Sequence, residues 1–206
     1  MRILLGHIAK RLYNDKFEQL RDRLLLEYEI VKVDKTNNYN TLSKVLISGE
    51  DHRFHYHIGF DCIAILRAVK NRIFYKKTEG ASTIEQQLVR VLTNDFERTF
   101  KRKVQEILLS TTVSSVIPKS AIPKIYLNVA YYGPGMNGLN QTFSKLGIVD
   151  RAALRIEQAA EIVSRIKYPQ PSSQNQNRLR QIELRKQHLI KLYNSHSNRK
   201  YFKIYG

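Results

Sequence analysis

The sequence predicts a mainly α domain, and three observations carry that expectation. Apolar residues recur at helical spacing in several segments, starting with Ile8, Leu12, Leu20 and Leu24 among charges. Ser82-Thr83-Ile84-Glu85 has the spacing of a capping box, a serine or threonine with a glutamate three residues on. Strand signals, meaning runs of alternating β-branched and aromatic residues, are weak throughout.

Taken in order, residues 8–30 read as the first helix. Residues 31–40 end in the polar cluster Asn37-Asn38-Tyr39-Asn40, which reads as a turn. An apolar stretch, 42–49, leads into Glu50-Asp51. The capping box starts a helix at Ser82 with an apolar stripe of Ile84, Leu88, Val91 and Leu92, and Glu85 as the cap partner. Thr83, Gln87 and Arg90 fall together on another face of it. The next helix, about 98–116, is expected to bury Val104, Ile107, Leu108 and Thr111, with Arg102, Lys103 and Glu106 pointing elsewhere. A helix starts near Ser120, tolerates Pro123 in its first turn, and stops before Tyr132-Gly133-Pro134-Gly135. Asp150 reads as the cap of a helix whose core side is Ala153, Ile156, Ala160 and Val163, closed by Tyr168-Pro169-Gln170-Pro171. Residues 178–206 read as a basic helix and tail, with Arg178, Arg180, Arg185, Lys186, Lys191, Arg199, Lys200 and Lys203 against Glu183. The expected organisation is an N-terminal helical segment over 1–41, one domain over 42–190, and a basic tail over 191–206.

With 206 residues the chain is long enough for one domain with a real core. Its formal net charge of +17 asks for an anionic partner, which nucleic acid, an anionic membrane surface or a pyrophosphate-bearing substrate would each satisfy. Cys62, the only cysteine, has no partner for an internal disulfide, and the run Cys62-Ile63-Ala64-Ile65-Leu66 predicts a buried structural thiol. No zinc-ligand cluster is visible, and no metal-ligating residue is assigned. His52, His55 and His57 read as wall or surface residues. No apolar run approaches the roughly 20 residues of a membrane span, and the apolar stretch after Met1 is too short for a signal peptide.

Residues 50–61, Glu-Asp-His-Arg-Phe-His-Tyr-His-Ile-Gly-Phe-Asp, concentrate the chemistry. Alone, Glu50-Asp51 is an acidic pair of the kind that favours a helix start. With Phe54, His57, Gly59 and Asp61 in register, the segment resembles the first signature of the peptidoglycan glycosyltransferases, glycosyltransferase family 51. That family comprises the transglycosylase domain of class A penicillin-binding proteins and the monofunctional transglycosylases. A second match is Gly80-Ala81-Ser82-Thr83-Ile84-Glu85-Gln86-Gln87-Leu88-Val89-Arg90, and a third is Arg102-Lys103-Val104-Gln105-Glu106. Looser matches include Tyr126-Leu127-Asn128, Tyr132-Gly133, Glu157 with Ala159-Ala160, and Pro169 and Pro171. Val91 stands where the family usually has asparagine, Ala81 where it has a second glycine, Arg90 where it has lysine, and Lys124-Ile125 where an acidic residue precedes the tyrosine-leucine-asparagine set.

The resemblance implies a lysozyme-like fold of two lobes with a cleft between them, and polymerisation of lipid II into glycan strands with release of undecaprenyl pyrophosphate. It implies Glu50 as the general base and Glu106 as the second essential glutamate. Asp51, Phe54, His57, Thr83, Gln87, Arg90, Arg102 and Lys103 would bind or surround substrate, with Arg102 and Lys103 on the pyrophosphate. No cofactor is fixed by it, although a divalent cation, Mg or Mn, at the pyrophosphate is compatible. Partners would be lipid II, the growing glycan chain, an anionic membrane surface and cell-wall synthesis proteins, with no nucleic acid. The place would be the outer face of the bacterial cell membrane, reached peripherally. Ile73, Phe74 and Tyr75, beside Lys70, Arg72, Lys76 and Lys77, read either as a contact with headgroups or as a packed helix end. Two other readings stay open: a catalytically impaired relative that binds lipid II or cell-wall partners, and a basic helical nucleic-acid-binding protein. The latter predicts basic side chains on one face, with no carboxylates gathered in a cleft.

Overall fold

The computed structural model describes residues 2–76 and 80–198, and among them helices dominate while no strand forms. One isolated antiparallel bridge joins Tyr131 and Asn137. The mainly α expectation holds. Lys77 and the tail residues Arg199, Lys200 and Lys203 lie outside the described residues.

The chain forms two compact units. The first takes residues 1–32 and 53–125, so the N-terminal helices fold with the middle of the chain. It holds α1 (Arg2–Leu12), α2 (Asn14–Val33), α4 (Cys62–Tyr75), α5 (Ile84–Leu92) and α6 (Phe100–Val116). Short 3-10 turns occupy Phe54–Tyr56 and Lys119–Ala121. Within this unit α5 and α1 both pack on α6. The single helix expected over 8–30 is thus two, broken at Tyr13.

The cap of α5 is Thr83, one residue later than expected. The tandem Ser82-Thr83 offers two boxes at the same spacing, and the one that forms pairs Thr83 with Gln86. Ile84, Leu88 and Leu92 are buried as predicted, and Val91 is half-buried. On α6 the buried face is rotated from the expected one. Gln105, Glu106, Leu109, Ser110, Thr111, Thr112 and Val113 are inside, while Val104, Ile107 and Leu108 are only half-buried. The rotation follows from Glu106, whose cationic partners let a carboxylate take a core position. Cys62 is exposed rather than buried. It opens α4, which Asp61 caps, and of that helix only Ala64 is buried, so the apolar run beside the cysteine faces outward.

The second unit takes residues 33–52 and 126–206. There α3 (Tyr39–Glu50), α9 (Ile156–Lys167) and α10 (Gln176–Asn198) pack on one another. The chain enters the unit again along α7 (Ile122–Val129), which carries Pro123 in its first turn, and continues through α8 (Gly138–Lys145). Tyr126, Leu127 and Tyr132 are buried, so this stretch is core. Asp150 caps only a turn, accepting from the Ala153 amide at 2.9 Å. Helix α9 begins six residues later, which leaves Ala153 exposed and puts Leu154, Ala159, Ala160, Ile162 and Val163 inside.

Candidate active site

Each unit carries its own constellation of charge. In the second unit, Asn38 starts α3 by accepting from the Thr41 amide, and Leu42, Val45 and Leu46 bury its inner face. That places Glu50 at the last position of the helix. Gly49 is required just before it: a Cβ there would lie 2.1 Å from Leu189 Cδ2 and 3.2 Å from Arg185 Nη2, so α10 comes close only because the side chain is absent. Through that approach Arg185 Nη2 donates to Glu50 Oε1 at 2.6 Å and to the Gly49 carbonyl at 2.8 Å. Glu50 keeps 15% of its side chain exposed. Asp51 is buried, and its amide closes α3 by donating to the Ile47 carbonyl at 3.0 Å.

In the first unit, the segment after Arg53 is tied down from several sides. Arg53 Nε donates to Asp61 Oδ2 at 2.7 Å, and Asp61 also caps α4 through the Ile63 and Ala64 amides. Burial pushes the Asp61 carboxyl up, but those hydrogen bonds outweigh it and hold it below its ordinary value. Gly59 has φ of +119°, and a Cβ there would sit 2.3 Å from the Ser110 carbonyl oxygen. No other residue fits both the backbone and the space. Its carbonyl accepts from Thr83 Oγ1 at 2.5 Å, and its amide donates to His57 Nδ1 at 3.3 Å. Phe54 is fully buried, so it backs this segment from within. Lys119 sits beneath: its ammonium donates to the His57 carbonyl at 2.9 Å, lies 4.2 Å from the centre of the Phe54 ring and pairs with Glu85. Glu85 is therefore more than a cap partner. It is fully buried, and its cation comes from 34 residues further along the chain.

The third motif converges on Glu106. Arg90 reaches it as a fork, Nε to Oε2 at 3.0 Å and Nη2 to Oε1 at 3.3 Å. Lys103 Nζ donates to Oε1 at 2.6 Å, and Arg102 Nη1 to Oε2. Lys103 is braced in turn by Ser82 Oγ and Gln86 Oε1, each at 3.0 Å. The Glu106 side chain is 2% exposed, so this is no surface ion pair. Burial pushes its carboxyl up, but Lys103, Arg90 and Arg102 overcome that and hold it below the ordinary glutamate range. Burial pulls the Lys103 ammonium down, against the pull of Glu106. Three cations on one carboxylate leave a net +2, with Arg90 and Lys103 each still about a third exposed. Such a cluster offers preorganised donors to an anion that develops charge. Arg102, nearly buried, faces a cleft of about 690 Å³ also lined by Lys16, Asp95, Lys101 and Gln105.

The sequence-predicted residues thus divide. Arg90, Arg102, Lys103 and Glu106 form one contiguous cluster. Thr83 is buried with its hydroxyl engaged by Gly59 and the Gln86 amide, so its contribution is to hold the turn. Gln87 is half-buried on the same helix. Arg185 reads in the sequence only as one residue of a basic helix, with nothing to pair it with Glu50. Lys119 and the burial of Glu85 are equally without a sequence signal, because both pairings are long-range and leave no local pattern. The residues at the cluster do not fit a divalent cation, because both Glu106 oxygens already accept from arginine and lysine.

Comparisons with known proteins bear on the family of the chain. The family model described as transglycosylase matches residues 19–194. A biosynthetic peptidoglycan transglycosylase of Thiobacillus denitrificans is 32% identical over 178 residues, covering 85% of this chain and 75% of that protein. Another, of Nitrosomonas eutropha, is 36% identical over 138 residues, covering 66% of this chain and 57% of that one. Penicillin-binding protein 1A of Rickettsia bellii is 33% identical over 156 residues; 73% of this chain matches only 19% of that larger protein.

Proposed function

The chain belongs to the transglycosylase family, the glycosyltransferases of peptidoglycan synthesis, and we propose that it polymerises lipid II into glycan strands. The 4-hydroxyl of the acceptor sugar attacks the anomeric carbon of the growing chain. A C–O bond forms there as the bond to pyrophosphate breaks, and the configuration inverts. Glu50 takes the hydroxyl proton. Arg185 holds one of its carboxylate oxygens, which fixes the orientation of the base. Arg90, Arg102 and Lys103 receive the departing pyrophosphate, whose charge grows in the transition state. Glu106 holds those three cations in place. Asp51 closes the helix that presents Glu50, Phe54 and His57 act as wall residues for substrate, and Gln87 offers it a hydrogen bond.

The observation that carries this reading is the cluster on Glu106. A nucleic-acid surface would spread its cations over one face to meet successive phosphates. Here three of them converge on a buried carboxylate, in an order of motifs that matches the family. The direct experiment incubates the purified chain with labelled lipid II. Polymer and released undecaprenyl pyrophosphate are expected; unchanged lipid II that still binds the protein would favour an impaired relative.

We place the protein at the outer face of the bacterial cell membrane, on an anionic surface. Among the described residues no helix is long and apolar enough to cross a membrane. Helix α4 supports surface contact: Ile63, Leu66, Val69, Ile73, Phe74 and Tyr75 are all exposed, beside Arg67, Lys70, Arg72 and Lys76. Replacing Phe74 and Tyr75 with serine should weaken co-sedimentation with anionic vesicles while the fold stays intact. Undiminished sedimentation would move the contact to the basic C-terminal helix.

A further inference from the structure

We infer that helix α2 belongs to the phosphate-gripping machinery, with Lys16 and Arg23 as positioning residues that hold the α5–α6 connection and, through it, the cations on Glu106. The inference rests on the reading of that cluster as the pyrophosphate grip. Arg90 lies in the last turn of α5, whereas Arg102, Lys103 and Glu106 lie in the first two turns of α6. The cluster therefore closes only if the intervening residues, 93–99, keep the two helix ends at the right separation. Those residues form neither helix nor strand, and the backbone turns through Asn94 at φ of +50°.

Two side chains of α2 pin this connection at both ends. Arg23 Nη1 donates to the Leu92 carbonyl at 2.7 Å, one of the carbonyls that the end of α5 leaves without a helical partner. Lys16 Nζ donates to Asp95 Oδ2 at 2.7 Å and reaches Gln105 Oε1 on α6 at 3.5 Å. Asp95 in turn donates its amide to the Arg90 carbonyl at 3.2 Å, so the lysine acts on the backbone of a cluster member through one residue. The Lys16 ammonium holds the Asp95 carboxyl below its ordinary value. Lys16 and Arg23 are two helical turns apart on the face that carries Leu20 and Leu24, both fully buried. Those leucines fix α2, and α2 delivers both cations. Lys16, Asp95, Arg102 and Gln105 line a single cleft.

The Lys16–Asp95 pair has a lysine that is 42% exposed, and such pairs add little stability. Its removal should leave a folded protein with a misplaced grip, and this separates positioning from plain support. In the full chain, Lys16→Met with Arg23→Met should lower kcat for lipid II polymerisation about ten- to a hundredfold, the cost of a misplaced catalytic group. KM should change much less, binding of inorganic pyrophosphate measured by calorimetry should weaken, and the thermal midpoint should move by no more than about 5 °C. Lys16→Asp alone should slow turnover, and adding Asp95→Lys should restore most of it, a rescue that simple support of the fold would not produce. Unchanged kcat and unchanged pyrophosphate affinity in the double variant would overturn the inference, whether or not the midpoint falls. If the wild-type chain makes no polymer, the proposed function fails, and the ratio of pyrophosphate affinities still decides the latch. Wild-type protein that binds no pyrophosphate would overturn both.

Discussion

Glu106 and Glu50 are both glutamates held by arginine, yet their surroundings differ in kind. Glu106 is buried under three cations, each of its oxygens taken, in a cluster braced by Ser82 and Gln86. Glu50 ends a helix, is held at one oxygen by Arg185, and remains partly exposed. The difference teaches what each carboxylate can do. A carboxylate saturated by cations and held below its ordinary pKa is a poor proton acceptor and a good scaffold for positive charge. One that Arg185 orients at a partly exposed helix end suits a base that must meet a hydroxyl.

The largest expected effect on the fold comes from breaking the scaffold. Glu106→Gln removes the charge that three buried or half-buried cations share, and losing one partner of a buried network costs about 3–5 kcal/mol. Urea unfolding should show that loss. A change below about 1 kcal/mol would make the cluster a surface feature and erase the contrast. The same pairing predicts acid sensitivity. Because the folded-state pKa of Glu106 is depressed, its contribution is fully present above the ordinary glutamate value of roughly 4.3 and is lost as pH falls through the lower, folded value. Wild type should lose stability steeply in that acid range, and Glu106→Gln should lose less there; equal slopes would contradict the assignment.

A smaller effect is expected at the other carboxylate. Arg185→Lys keeps a charge but not the double contact to Glu50 and the Gly49 carbonyl, so turnover should fall about tenfold, with Arg185→Met lower still. Guanidinium added at concentrations too low to denature should partly restore the methionine variant. Full activity in Arg185→Met would show that Glu50 needs no orienting partner.

Much of this contrast was legible in the sequence, and the rest was not for identifiable reasons. The helical repeat and the three motifs brought out the α fold and named Glu50, Glu106, Arg90, Arg102 and Lys103. Local pattern failed wherever a partner is distant. Arg185 is 135 residues from Glu50 and looks like one more basic residue in a basic helix. Glu85 looks like a cap until Lys119 is seen against it. Cys62 looks buried because its neighbours are apolar, although α4 turns those neighbours outward. The buried face of α6 was misjudged because a carboxylate among its core positions violates the apolar pattern. Helix α8 left no signal, being eight residues long and set between a glycine-rich turn and a loop.

The central claim is that Glu50 is the base and Glu106 the scaffold, and rate measured beside stability on Glu50→Gln tests it most directly. The substitution keeps the shape of the side chain and removes its basic oxygen. Polymerisation of lipid II should fall by about 10²–10⁴-fold, while the thermal midpoint stays within a few degrees of wild type. Polymerisation within a factor of two of wild type, at any midpoint, would contradict the account.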